Sequence, residues 1–241
     1  MKRFFDIATS SFSLIILSPI LIIFILLVWL SDFKNPFYLG TRIGKNYKKF
    51  RMVKLRSMTI DADKNKIDST SSNDPRITKI GKIVRKFKVD EIFQLINVLI
   101  GQMSIVGPRP NVERDVLIYT DVEKEILSVT PGITDFSSIV FSDEGDILEN
   151  SHDPDLDYNK LIRPWKSRLA LIYVQNNSFM IDLFLIFLTI ISMFNKEQSL
   201  ILLSKVLKKI TVNKELLEVA LRKKNLVPHP PPGSSAIVEK R

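Results

Sequence analysis

The chain contains no cysteine, which removes disulfides, thiolate catalysis and Cys-based zinc sites and fits a reducing compartment. It has only two histidines. His152 lies in an acidic stretch and His229 in a proline-rich tail, so neither is placed to serve a Ser-His-Asp constellation. Acid–base chemistry therefore falls to carboxylates, lysine or tyrosine. No internal repeat is visible. Aromatic–basic interleaving of the RRM kind, a helix-turn-helix and a zinc finger are all missing, which argues against nucleic acid as a partner. The formal charge of +9 over 241 residues then points to an anionic membrane leaflet or phosphorylated small molecules. One domain with an appendage is the natural organisation at this length.

What the chain does have begins at its N-terminus. From Ile7 to Leu30 it is strongly apolar, long enough to span a bilayer as a single anchor. Ser18-Pro19 falls in the middle, where proline removes a backbone donor and kinks or breaks a helix. Each half is then about eleven residues, roughly 16 Å of helix against a hydrocarbon core of ~30 Å. Basic residues flank both ends, Lys2 and Arg3 before and Lys34, Arg42, Lys45, Lys48 and Lys49 after, whereas a spanning helix normally shows a one-sided excess. A segment that dips in, bends at Ser18-Pro19 and returns keeps all of them on one side, with Ser18 bonding nearby carbonyls. The expectation over residues 1–33 is this re-entrant form in place of a bitopic anchor. No small-residue cleavage site follows, which argues against a secretory signal.

The densest chemistry lies in Asp74 to Pro110, DPRITKIGKIVRKFKVDEIFQLINVLIGQMSIVGPRP, with a helix predicted over 79–100. Asp90 and Glu91 follow the basic run Arg85, Lys86, Lys88 and precede the periodic apolar residues Ile92, Leu95, Ile96 and Leu99, which puts them at a helix N-terminus. There the macrodipole and free N–H groups favour anions, so a carboxylate stays ionised and a phosphate can dock beside it. Such an aspartate can attack phosphorus to form an acyl phosphate. Helix grammar alone also reads Asp90 as an N-cap, although Phe93 stands where a capping box needs Glu or Gln. Farther on, Gly107-Pro108-Arg109-Pro110 restricts the backbone around one arginine, which suits a bidentate phosphate clamp. An ordinary proline-rich turn is the plain alternative.

The remaining segments are less distinctive. Phe37 to Met58 reads as a β-hairpin or two short strands about a turn near Gly44, ending in Lys54 and Arg56. Residues 61–74 are polar and expected as a loop, and 111–128 as helix. Asp153, Asp155 and Asp157 alternate as in a calcium loop, but Tyr158 and Pro164 stand where Gly and Glu are required, so a solvated loop is expected. Helices are predicted over 161–175 and 179–194, with Asp182 as a cap near the start of the second. Its apolar part, Leu183 to Phe194, is too short to span. Leu200 to Leu221 has the spacing of amphipathic helices on a membrane surface, and residues 227–241 read as disordered or PPII-like.

KVDEIFQLINVLIGQMSIVGPRP resembles the signature of the bacterial sugar transferase family, the monotopic polyprenol-phosphate phosphoglycosyl transferases. Lys2-Arg3-Phe4-Phe5-Asp6-Ile7, Ser18-Pro19, Lys54-Leu55-Arg56-Ser57-Met58, Asp74-Pro75-Arg76-Ile77-Thr78, Pro131-Gly132-Ile133-Thr134 and Ser178-Phe179-Met180-Ile181-Asp182 occur in the family's order, over about residues 1–195. Two segments depart. Val89-Asp90-Glu91-Ile92-Phe93-Gln94 stands for Leu-Asp-Glu-Leu-Pro-Gln and keeps both carboxylates and the glutamine. Asp135-Phe136-Ser137-Ser138 stands for Gly-Leu-Ala-Gln and leaves the sugar open.

The resemblance implies transfer of a sugar 1-phosphate from a UDP-sugar to undecaprenyl (polyprenyl) phosphate through an aspartyl-phosphosugar intermediate, releasing UMP. This would be the first membrane step of surface polysaccharide or glycoconjugate synthesis, at the cytoplasmic face of the bacterial inner membrane. It implies Asp90 as nucleophile and Mg2+ ligand, with Glu91 as acid/base or metal-orienting partner. Arg85 and Arg109 would hold phosphates, Lys54, Arg56 and Arg76 would lie toward the nucleotide diphosphate, and Asp182 near the site. The expected fold is mostly α with a short β-hairpin or few short strands. The re-entrant membrane helix (1–33) precedes a cytosolic α/β catalytic domain (34–195), an amphipathic, interfacial helical extension (196–226) and a disordered tail (227–241). Homo-oligomerisation is left open. A membrane-anchored scaffold that only binds anionic lipid is the alternative, and it predicts no turnover.

Overall fold

The computed structural model describes residues 1–65 and 69–239. In chain order it comprises α1 (Lys2–Leu30), β1 (Phe37–Ile43), β2 (Lys49–Leu55), a 3-10 turn (Ile60–Asn65), α2 (Lys79–Lys86), α3 (Val89–Ile92), α4 (Gln94–Leu99) and β3 (Ser104–Val106). Then come α5 (Glu113–Leu117), α6 (Asp121–Lys124), β4 (Gly132–Thr134), α7 (Phe136–Val140), α8 (Glu144–Ile147) and α9 (Pro154–Asp157). The last elements are α10 (Arg163–Asn176), α11 (Phe179–Phe194), α12 (Lys196–Ile210) and α13 (Lys214–Ala220). Helix dominates, with two small sheets. β1 and β2 form the expected antiparallel hairpin, Phe37 opposite Leu55 and Ile43 opposite Lys49. β3 and β4 pair in parallel. Part of the loop expected over 61–74 lies outside the described residues. The acidic stretch expected as a loop instead forms α8 and α9, with Asp153 capping α9 and Asp155 accepting from Ser69 N.

α1 runs through Pro19 without interruption, so the expected break at Ser18-Pro19 is not a gap in the helix. Proline loses its own amide bond but keeps a helix-compatible φ, and Ser18 Oγ donates to Ile15 O at 2.7 Å. Both ends of α1 are fastened to the same body. At its start Lys2 Nζ donates to Val106 O (2.9 Å) and Asp182 (2.6 Å), Arg3 donates to Val98 O and Leu99 O, and buried Asp6 accepts from Ser104 Oγ and Ile105 N. Toward its end Leu21 and Val28 pack with Leu55, Val84, Val89 and Phe93. Just beyond it, Asp32 takes both Nη groups of Arg56 at 2.5 and 2.6 Å.

The helix predicted over 79–100 is divided. Lys88 takes φ 55° and ψ 22°, a left-handed conformation that costs a lysine roughly 1–2 kcal/mol, and the chain changes direction between α2 and α3. No Gly or Pro marks the spot, so the apolar periodicity on either side reads as one helix.

The main core gathers Phe136, Trp165, Leu169, Leu185, Leu188, Leu203 and Leu216 from α7 and α10–α13. α12 and α13, in the extension expected over 196–226, pack their leucines into this core. Their Leu spacing is that of a membrane-surface helix and of a helix packed on a neighbour alike. The tail expected to be disordered is docked as far as its proline run. His229 N donates to Lys160 O and its ring lies 4.4 Å from Trp165, Arg168 donates to Pro230 O, and Thr120 Oγ1 donates to Pro232 O.

Beside that tail, fully buried Glu123 accepts from Arg163 Nε and Nη2, Ser167 Oγ and Thr120 N. Replacing one member of such a pair strands the other charge in a dry site, which costs about 3–5 kcal/mol. Glu123→Leu is expected to lower the denaturant midpoint accordingly, and Arg163→Met with it to recover much of the loss.

Candidate active site

Two glycines build the frame. Gly107 follows β3 and β4 begins at Gly132, and the chains approach so closely that a Cβ on Gly132 would lie 2.1 Å from Gly107 N. Gly107 N donates to Thr134 O and Gly132 N to Pro108 O, which stitches the Gly-Pro-Arg-Pro turn to the Pro-Gly-Ile-Thr strand. The turn holds Arg109 against Glu91, with Nη2 donating to Oε1 at 2.5 Å and Nη1 to Oε2 at 3.5 Å. Lys54, from β2, brings Nζ within 3.6 Å of the same Oε1. α3 supplies Asp90 beside them, 8% exposed and without a hydrogen bond to either oxygen among the described residues. Arg85, from the last turn of α2, donates Nε to Ser57 Oγ at 2.9 Å and acts on Asp90 through space.

The carboxylates are driven apart. Burial pushes Glu91 up, but Arg109, Lys54 and Lys88 outweigh it and hold it well below the usual range. Burial raises Asp90, Lys54 and Arg85 pull it back, Glu91 opposes them, and the net is upward. The direction is opposite to the one a helix N-terminus imposes, since α3 is four residues long and supplies little macrodipole. Nor is Asp90 an N-cap, because Lys88 holds that position. Burial lowers Lys54, and Glu91 only partly restores it.

Three expected site residues are engaged elsewhere. Arg56 is buried, with its guanidinium on Asp32 and Asn35 O, and it fastens β2 to the exit of α1. Arg76 binds Asp74 through Nε and Nη2 and donates to Ala62 O. Asp182, 4% exposed, accepts from Lys2 and Tyr173, while Ser178 caps α11. All three make their contacts within the protein and help hold the fold. Arg56's partner Asp32 and Asp182's partner Lys2 are distant in sequence, whereas Asp74 stands two residues from Arg76.

Sequence reasoning also missed a cavity of about 30 Å³ beside Arg109, lined among others by Asn111, Tyr119, Ser137, Tyr158 and Lys166. Of the departing segment, Phe136 enters the core and Asp135 caps α7, while Ser137 reaches this cavity wall.

The model of the family described as bacterial sugar transferase matches residues 1–196. The chain belongs to the bacterial sugar transferase family. This member is thus an enzyme, a phosphoglycosyl transferase. Among curated relatives, the exopolysaccharide production protein ExoY of Sinorhizobium fredii is 34% identical, over 78% of this chain and 83% of that protein. The exopolysaccharide production protein PSS of Rhizobium leguminosarum is 36% identical, over 80% and 94%. The UDP-glucose:undecaprenyl-phosphate glucose-1-phosphate transferase of Klebsiella pneumoniae is 34% identical, over 80% of this chain and 40% of its own length.

Arg109 offers a direct test of the turn. Arg109→Lys keeps the charge and loses the fork, so turnover is expected to fall about 10- to 100-fold, or roughly 1.4–2.8 kcal/mol in the barrier, in steady-state assays. Unchanged kinetics would make the Gly-Pro-Arg-Pro turn structural only.

Proposed function

We propose that this enzyme transfers a sugar 1-phosphate from a UDP-sugar to polyprenyl phosphate. The observation that carries the reading is Asp90, a buried carboxylate without hydrogen bonds, set among Lys54, Arg85, Lys88 and Arg109. Asp90 attacks the sugar-bearing β-phosphorus of the donor, the bond from that phosphorus to the bridging oxygen breaks, and UMP leaves with the electron pair. A phosphate oxygen of the polyprenyl phosphate then attacks the aspartyl-phosphosugar and regenerates Asp90, giving a polyprenyl diphosphate sugar. Burial strips water from the nucleophile, and the surrounding cations neutralise charge on the diphosphate. Glu91 holds Arg109 and Lys54 in place and stays ionised, so it acts as an electrostatic anchor in preference to a general acid. Similarity to the Klebsiella glucose-1-phosphate transferase and to a putative undecaprenyl-phosphate N-acetylgalactosaminyl 1-phosphate transferase of Bacillus subtilis supports this chemistry.

Among the described residues, no three acidic or histidine side chains converge on a metal position. Mg2+ needs few protein carboxylates when phosphates complete its shell, and Asp90 has an oxygen to offer. Mg2+ would be held by Asp90 and the donor phosphates, where it would neutralise the diphosphate and stabilise the leaving group.

α1 lies in the cytoplasmic leaflet of the inner membrane as a re-entrant helix. Supporting this, Phe12, Ile15, Ile16, Ile22 and Ile23 are exposed on α1, as are Met180, Phe187, Ile190 and Met193 on α11, while both ends of α1 bond to one body. The test of function is mass-detected transfer from a panel of UDP-sugars to undecaprenyl phosphate. A lipid-binding scaffold would give neither UMP nor product with any of them.

A further inference from the structure

Gln94 opens α4 with no exposed surface, and neither its amide nitrogen nor its carbonyl oxygen has a hydrogen-bond partner within the protein. A buried amide left unpaired is destabilising, and a methionine of similar size would fill the space without that penalty. Such an orphan calls for an explanation other than packing.

Its place relative to Asp90 supplies one. Phe93, between α3 and α4, keeps right-handed helical torsions of φ −66° and ψ −14°, so a right-handed turn leads from Asp90 to Gln94 although α3 and α4 stay separate helices. Residues four apart on such a turn share a face, and Asp90 and Gln94 are such a pair. Asp90 Oδ1 is sealed from solvent and has no partner, whereas Oδ2 is not sealed and is the oxygen open to the site. Lys54 from β2, Arg85 from α2, Lys88 before α3 and Arg109 after β3 act on Asp90 through space. Among the described residues, none of them donates a hydrogen bond to it. The other orphan donors, Ser10 Oγ, Trp165 Nε1 and Arg222 Nε and Nη1, belong to α1, to α10 and to the segment after α13. Gln94 alone combines an unused buried donor with a place one turn from the inward carboxylate oxygen.

We infer that Gln94 is a positioning residue for the nucleophile: its Nε2 donates to Asp90 Oδ1 when the donor is bound and fixes the carboxylate plane so that Oδ2 faces phosphorus. No bond within the protein has to break for the Gln94 side chain to rotate into this contact. The inference rests on the phosphoglycosyl transfer proposed above.

Two substitutions of similar length separate positioning from packing. Gln94→Met removes both polar atoms, and Gln94→Glu keeps the shape while replacing the donor by an acceptor. The full chain in detergent is given UDP-sugar alone, and UMP release is followed as a function of donor concentration beside thermal melting. Both variants are expected to lower the maximal rate of release about tenfold or more, with KM for the donor within about twofold. Gln94→Met is expected to melt no lower than the unsubstituted chain. A raised KM at unchanged maximal rate, or a lowered Tm at unchanged rate per folded molecule, would overturn the inference. Should Gln94→Met fail to fold, a Gln94→Glu variant releasing UMP at the unsubstituted rate would overturn it equally. Absence of UMP release by the unsubstituted chain from every UDP-sugar refutes the transfer reaction itself, a result distinct from equal rates in parent and variants.

Discussion

Asp90→Asn is expected to abolish turnover, by about a thousandfold or more, while the protein stays folded. The carboxamide matches the carboxylate in shape but is a far poorer nucleophile, and every later step of the proposed route depends on the covalent adduct. The unsubstituted enzyme given UDP-sugar alone should release UMP and carry a phosphosugar mass on the peptide containing Asp90, and the Asn variant should do neither. Stability moves the other way. Asp90 makes no hydrogen bond that Asn would lose, and its pKa in the fold lies above the ordinary 3.8. A carboxyl with a raised folded pKa penalises the folded state at every pH where the unfolded chain is ionised. Asp90→Asn should therefore raise Tm at neutral pH, with the gain fading as pH falls through and below the folded pKa. Turnover by the Asn variant at the parent rate would remove Asp90 as the nucleophile.

The parts of this site legible in sequence are those written in local chemistry. Gly107-Pro108-Arg109-Pro110 restricts its own backbone, and Asp90-Glu91 between a basic run and an apolar one gives helix, charge and position together. The hairpin likewise follows from β-prone stretches about one turn. What sequence left out are facts about partners. Arg56 and Lys54 stand on one strand two residues apart, yet Arg56 ends on Asp32 and Lys54 beside Glu91. The left-handed Lys88 is invisible because lysine has no preference for that conformation. Leu203 and Leu216 read as membrane-facing until α11 and α13 are seen around α12. The docking of Pro230 and Pro232 depends on acceptors that any extended chain carries.

A cysteine placed ahead of Met1 and another at Lys34 are expected to react with a membrane-impermeant thiol reagent from the cytoplasmic side alone. The chain has no cysteine of its own, so each label reports one position. The expectation follows from bonding more than from hydropathy. A straight helix of 29 residues would be about 43 Å long at 1.5 Å per residue, enough to cross ~30 Å of hydrocarbon. But crossing would carry Lys2, Arg3 and Asp6 away from Asp182, Val98, Leu99, Ser104 and Ile105, and would leave Asp6 unpaired at the far side of the membrane. Several hydrogen bonds, some of them charge-assisted and shielded from water, would be lost together. The lost bonds to Ser104, Ile105 and Val106 are also those that steady β3 just ahead of Arg109. A bitopic anchor would thus loosen the turn that carries Arg109, whereas a re-entrant α1 would fasten it at the membrane surface, where the proposed polyprenyl phosphate would arrive. Labelling of the N-terminal cysteine from the periplasmic side would sink the re-entrant arrangement and leave the bonds at Lys2, Arg3 and Asp6 without a place in the membrane-bound enzyme.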